Sequence, residues 1–204
     1  MTEEFKLNYI LKNIQENSTN ENIEFVVPKM IAKHIVAYQS IREDLLFCRT
    51  VIEKLTNNDY DKALKTSLYY SFIAIYGKCF TEANKSKYPR LNVSDFGTLI
   101  NKYDKLHNEL MNMRHNYIAH RGLTDDDFGV GVFCLNKKTL SQRIYVNQIK
   151  RISFDKDNID LLKELIDTLI QITESKYLKA SLKVKKYMLG LNPEKLNQCL
   201  LTLP

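Results

Sequence analysis

Hydrophobic positions along most of the chain recur every three or four residues, the period of an amphipathic α-helix. The first such pattern opens after Pro28 and stops near Asn57. A second follows Asp59, which we expect to cap its helix. A third runs from Asp95 to Ala119, with Ser94 or Asp95 as its cap. The pattern therefore predicts three long helices before residue 120.

Beyond the third helical pattern the hydrophobic period changes from helical to strict alternation. The runs Phe128–Phe133 and Arg143–Ile149 alternate and hold β-branched and aromatic residues. They predict a β-hairpin inserted over residues 124–152. A fourth long helix then begins near Asp155, and Pro193 opens a short terminal helix.

These elements predict a mainly α fold, an antiparallel bundle of about four long helices with a β-hairpin insert. The length of 204 residues suits one hydrophobic core, so we expect a single domain over 1–204. Residues 1–27 would be an N-terminal extension, and 190–204 would carry the short last helix. The apolar fraction of 44% and the charged fraction of 26% are ordinary for a globular protein.

Cysteine spacing and hydropathy indicate a cytoplasmic protein without a membrane segment. The four cysteines lie far apart and read as reduced thiols: Cys48, Cys79, Cys134 and Cys199. No apolar run has the length of a signal peptide or a membrane span. The aspartates at 125–127 are typical of a solvated turn, and no phosphate-loop, dinucleotide or zinc motif occurs, so we expect neither metal nor cofactor.

One charge conflicts with the third helical pattern. Arg114 falls near the middle of the apolar arc, between Leu110 and Ile118 at about 100° per residue. Burying an unpaired guanidinium is costly, which leaves two interpretations. Either an internal carboxylate such as Asp44 or Glu53 neutralises Arg114, or this face is a wet cleft or interface where the charge is used.

Three further residues bear on that choice. His34 lies amid apolar residues, which is typical of a core or edge histidine rather than a ligand. His107 lies two turns before Arg114 on roughly the same side, so a place in the same cleft is open, although we do not favour it. Gly77, inside the second helical pattern, predicts close packing against another helix, the usual compensation for glycine there.

Arg114 also opens a short motif that ends at His120. His115 follows the arginine directly, Ala119 precedes the second histidine, and Gly122 is a plausible helix terminator. The motif resembles the signature of the HEPN superfamily, in which an arginine and a histidine four to six residues apart lie near the end of the third helix of an antiparallel bundle. The resemblance extends over about 59–175 in helix order, and its specific part is the motif.

The resemblance implies a metal-independent endoribonuclease, in a toxin–antitoxin or phage-defence system, that cleaves RNA by 2′-hydroxyl attack. His120 would be the acid or base, since histidine titrates near neutral pH. Arg114 would clamp the phosphate, for which its fork is suited. His115 would be an auxiliary polar group, and Asn116 would orient the His120 ring.

Basic residues near the other end of the chain are candidate RNA contacts. The net charge is +6 and the pI about 9.0. Residues 176–186 contain five lysines and no acid. Together with the motif, they supply the candidate RNA-binding residues: Tyr117, Arg121, Lys176, Lys179 and Lys183. An alternative of equal weight is a solvated helix end whose lysines complement the helix dipole.

The expected partners are RNA and a second copy of the chain. One chain supplies a single Arg114 and a single His120, so a two-fold axis would be needed to bring four groups into one cleft. The resemblance also implies an antitoxin or nucleotidyltransferase partner. Two other functions stay open, a non-catalytic HEPN scaffold that binds RNA, nucleotide or a partner protein, and an unrelated helical interaction module.

Overall fold

In the computed structural model, the described residues are 9–10, 12, 25–56, 60–82, 88–119, 127–139, 141–150, 154 and 158–199. Their regular elements are α1 (Lys29–Leu55), α2 (Lys62–Phe80), α3 (Ile100–Asn112), β1 (Asp127–Leu135), β2 (Gln142–Lys150), α4 (Ile159–Leu189) and α5 (Pro193–Gln198). A 3-10 helix, Val93–Leu99, precedes α3, and a π-helix, Met113–Ala119, follows it. The mainly α fold with a β-hairpin is confirmed.

Polar side chains fix where two of the helices begin. Asp61 caps α2, because its carboxylate accepts a hydrogen bond from Leu64 N at 2.9 Å. The predicted cap, Asp59, is therefore wrong, and it lies outside the described residues. Asn192 caps α5, and Pro193 lies in its first turn, where it was predicted.

The prediction of one continuous helix from Asp95 to Ala119 is wrong. The chain forms the 3-10 segment, then α3, then the π segment, because apolar spacing alone does not distinguish i→i+3, i→i+4 and i→i+5 hydrogen bonding. Gly97 interrupts the first segment with φ of 55°, a value that glycine adopts without steric cost. The segment begins after Asn92, whose backbone N–H donates to Asp95 at 2.8 Å.

Ion pairs and core packing define an antiparallel bundle. Arg42 Nε lies 2.9 Å from Glu174, and Arg49 Nε lies 3.3 Å from Asp167, so α1 and α4 run in opposite directions. The predicted start of α4 near 155 lies outside the described residues, and the helix begins at Ile159. All four long helices contribute fully buried side chains to one core, among them Leu45, Phe72, Tyr103 and Leu165.

The hairpin lies within the predicted insert, and its register is regular. Val132 pairs with Tyr145, and Phe133 pairs with Ile144, in antiparallel strands. Asn136 closes the turn by accepting hydrogen bonds from two backbone N–H groups at 2.9 Å. The side chains of Phe133 and Ile144 are exposed, which places them outside the helical core.

The segment before α1 meets the last helix. Val26 N donates to Cys199 O at 2.7 Å. Of the predicted N-terminal extension, Tyr9, Ile10 and Lys12 are helical, and most of the rest lies outside the described residues.

Candidate functional site

Arg114 occupies the second position of the π segment, and its aliphatic stem packs on Gly77 of α2. A Cβ placed on Gly77 would lie 2.4 Å from Arg114 Cγ and 2.9 Å from Cδ. Such distances are far inside van der Waals contact, so only glycine leaves room for the stem. The close contact that Gly77 predicted is confirmed, and it fixes where the arginine leaves the helix surface.

Neither Asp44 nor Glu53, the carboxylates proposed to neutralise Arg114, pairs with it. Asp44 lies 2.8 Å from Lys78 Nζ, and Glu53 lies 3.8 Å from Arg49 Nε. Within the described ranges, no carboxylate lies at ion-pair distance from the Arg114 guanidinium. The side chain is partly buried. The stem is therefore held by packing, while the charge lacks an ion-pair partner in this part of the chain.

The neighbours of Arg114 occupy the same segment. His115 is exposed, and Asn116 is partly buried. Asn116 Nδ2 donates to Asn112 Oδ1 one turn earlier, so the role expected of Asn116, orienting the His120 ring, competes with this contact. The predicted His120 and Arg121 lie outside the described residues, as does the side chain of Tyr117.

The π-helical backbone changes the geometry expected from the sequence. An α-helix would set Arg114 and His120 about 120° apart around the axis. The i→i+5 hydrogen bonding of a π-helix widens the turn, so that angle does not apply to a segment spanning Met113–Ala119. Such wide turns recur at functional sites in proteins. The deviation begins one residue before the arginine.

His107 belongs to the core and does not share a cleft with Arg114. Only 3% of it is exposed, and its Nδ1 lies 2.7 Å from the Tyr76 hydroxyl. Phe80 and Phe96 pack edge-on against the ring. Burial lowers the pKa of His107 below the ordinary 6.5, against an opposing contribution from Asp104. A neutral histidine in an aromatic cage serves packing, so it is not part of the Arg114 site.

The predicted RNA-binding lysines come together in a different place. Lys176, Lys179 and Lys183 line one cavity of about 590 Å³ between α4, the start of α1 and the 3-10 segment. No residue from Arg114 to Asn116 lines it. The cavity is next to the segment before α3, and Arg114 follows α3, a 13-residue helix about 20 Å long. The candidate residues therefore form two separate groups.

Sequence reasoning missed most of the other polar residues in that cavity. His34, Tyr38, Ser94 and Asp95 all contribute to its wall. Only the four-residue step from His34 to Tyr38, which brings their ring centroids to 6.3 Å, could have signalled a shared face. Ser94 and Asp95 reach the cavity through tertiary packing, for which the linear sequence holds no pattern.

The remaining reactive side chains do not form a second centre in the described part of the chain. Burial raises the pKa of the Cys79 thiol to about 12 and also raises that of Cys48, so both stay protonated.

Among the described residues, no group of three or more histidines, cysteines and acidic residues could hold a metal ion. The helices described here include none long and apolar enough to span a membrane.

Comparison with known proteins adds no family. No family model, curated protein or solved structure matches the chain. A functional hypothesis therefore depends on the residues of the motif and on the geometry of the described helices.

Proposed function

We propose that this protein is a HEPN-like metal-independent endoribonuclease that serves a toxin–antitoxin or phage-defence system. The observation that carries the proposal is Arg114, a partly buried arginine held on Gly77 with no carboxylate partner in the described chain. Its placement suits binding of an anionic group, because guanidinium binds phosphate oxygens in a fixed, two-pronged geometry. The motif adds His120, six residues later.

In the proposed reaction, the RNA 2′-oxygen attacks the adjacent phosphorus and the bond from phosphorus to the 5′-oxygen breaks. His120 removes the 2′-hydroxyl proton, and a protonated histidine delivers a proton to the leaving oxygen. Arg114 stabilises the negative charge that builds on the phosphoryl oxygens. The products are a cyclic phosphate and a free 5′-hydroxyl. His115 and Asn116, beside the arginine, serve as auxiliary polar groups.

The reaction needs one proton acceptor and one donor, which favours a homodimer. Each chain brings one Arg114 and one His120, and a two-fold axis would set two copies of the π segment in one cleft. Mixing unaltered chains with an excess of His120→Ala chains should lower cleavage below the share of unaltered chains, because a mixed dimer lacks one of the two histidines. A monomer in solution with full activity would contradict the shared site.

The activity test is cleavage of RNA by the purified protein in excess chelator, followed by analysis of the new ends. We expect cyclic-phosphate ends, and loss of at least about a hundredfold in rate for His120→Ala. Arg114→Ala should also abolish cleavage, and Arg114→Lys should restore little of it, because lysine lacks the two-pronged geometry. Arg49→Ala is the matched control, since Arg49 is exposed and pairs with Glu53 and Asp167. Cleavage that stops on chelation would refute the metal-free mechanism.

One observation favours the non-catalytic alternative, a HEPN scaffold that binds RNA, nucleotide or a partner protein such as an antitoxin or nucleotidyltransferase. The stem of Arg114 packs on Gly77, which gives the arginine a structural use that does not require catalysis. The same assay separates the two functions. RNA affinity without cleavage under any condition would support the scaffold, and so would a loss of stability in Arg114→Ala without a loss of RNA affinity.

A further inference from the structure

The cavity between α1, α4 and the 3-10 segment is a second cationic site, distinct from the Arg114 segment. Its volume of about 590 Å³ falls within the range of about 300–1,000 Å³ that is typical of small-molecule pockets. Ile31, Ile172 and Ala180 supply apolar wall, and His34 and Tyr38 supply aromatic wall. The mixture of apolar wall and a few polar groups is typical of a ligand site.

The acidic residue in the cavity wall is already neutralised. One oxygen of Asp95 lies 2.8 Å from Lys176 Nζ, and the other accepts the Asn92 N–H at 2.8 Å. Lys176 Nζ also lies 5.7 Å from the centre of the Tyr38 ring. Asp95 and Lys176 are largely buried as a pair, with side chains 14% and 26% exposed. This pair therefore contributes no net charge to the cavity.

Two lysines remain uncompensated. Lys179 and Lys183 are one turn apart on α4, both exposed and both lining the cavity. In the described chain, no carboxylate lies at ion-pair distance from either ammonium group. Ser94 adds a hydroxyl on the same wall. The cavity thus presents two positive charges and a hydrogen-bond donor beside aromatic rings.

The helix dipole does not account for these lysines. α4 ends at Leu189, ten residues after Lys179 and six after Lys183. Favourable interaction of cations with a helix C-terminus falls off within the last turn. Lys185 and Lys186 are closer to that end and do not line the cavity. The charges at the cavity therefore have no intrahelical explanation.

We propose that this cavity binds a small phosphorylated ligand of nucleotide size, with its phosphates on Lys179, Lys183 and Ser94 and its remaining part against Tyr38 and His34. Ammonium groups and hydroxyls are donors suited to phosphate oxygens. The aromatic wall provides a stacking surface for a flat ring. The site does not depend on the proposed nuclease activity, so it is testable without an RNA cleavage assay.

The test is calorimetric titration of the full chain with ATP and, separately, with tripolyphosphate at low salt. We expect one ligand per chain, with ATP tighter than tripolyphosphate because of the aromatic wall. The Lys179→Gln/Lys183→Gln double variant should bind at least about tenfold more weakly, since it loses two charge-assisted contacts. Lys185→Gln/Lys186→Gln removes the same charge from the same helix outside the cavity, and it should bind like the parent.

Three results would overturn the site. The first is no binding of either probe at millimolar concentration. The second is an equal loss in both double variants, which would indicate a general charge effect. The third is binding of an RNA oligonucleotide but of neither small probe, which would assign the lysines to RNA. Circular dichroism of each variant confirms that a loss of binding is not a loss of fold.

Discussion

Arg114 and the lysine pair Lys179 and Lys183 are all cations without a carboxylate partner in the described chain, yet they are held in opposite ways. The stem of Arg114 is packed on Gly77, so its position is fixed by the contact between two helices. The lysines stand exposed on one face of α4, over a cavity. A cation held by packing is coupled to the stability of the fold and suits a reaction that needs fixed geometry. An exposed cation over a cavity should instead affect the binding of a ligand more than the stability of the fold.

The largest expected effect is on the packed side of this comparison. Gly77→Ala should lower the free energy of unfolding by up to about 3 kcal/mol, because the new methyl group overlaps the Arg114 stem. Urea denaturation measures the loss. Adding Arg114→Ala should recover part of it, with a coupling energy of at least about 0.5 kcal/mol. Strictly additive effects would show that the two residues do not share one contact.

The next effect concerns the buried partner of His107. Tyr76→Phe should cost about 1–2 kcal/mol of unfolding free energy, because it leaves the buried Nδ1 without its partner. Tyr145→Phe on the exposed hairpin is the control and should change stability by less than about 0.5 kcal/mol. An equal response of the two variants would mean that the hydrogen bond contributes nothing.

The pH dependence of stability tests the same core. Since the pKa of His107 is lowered in the folded protein, the unfolded chain binds the proton more readily. The contribution is fully present above pH 6.5, the ordinary value, and is lost as the pH falls toward the lowered folded pKa. We expect the melting temperature to fall over that window, and to fall less in His107→Gln. A parallel decrease in both proteins would assign the effect to other groups.

The smallest expected effect is on stability when the exposed lysine pair is replaced. Lys179→Gln/Lys183→Gln should leave the unfolding free energy within about 0.5 kcal/mol of the parent, because neither lysine has an ion-pair partner among the described residues. The same denaturation measurement checks it. A loss of 2 kcal/mol or more, which is the order of a core truncation, would place these lysines in the fold rather than at a binding site.

The features that the sequence predicts correctly are those set by the local spacing of apolar residues. Apolar spacing predicted the four long helices, and alternation predicted the hairpin. The register, in which Phe133 pairs with Ile144, comes from the structure alone. The cap at Asp61 was missed because Asp59 carries the same chemistry two residues earlier. The π segment was missed because apolar spacing does not specify the hydrogen-bonding step.

The two groups of candidate residues differ in the same way, since one is marked by a local pattern and the other is formed by packing. Arg114 was found from sequence because a charge within an apolar arc is a local anomaly, and Gly77 gave a hint of the contact that holds it. The cavity joins His34, Ser94 and Lys179, which are distant in the chain and meet only through packing. Its lysines were visible as a charge run, but their separation from Arg114 was not.

The π segment also marks where this chain tolerates a change in length. A π turn holds more residues than an α turn, so a deletion within Met113–Ala119 is accommodated by tightening the turn to α-helical hydrogen bonding. Such a deletion would leave the core contacts of α3 in place, because the tighter turn takes up the missing residue within the segment. The segment is thus an adjustment point, at which the loss of one residue is absorbed within the helix itself.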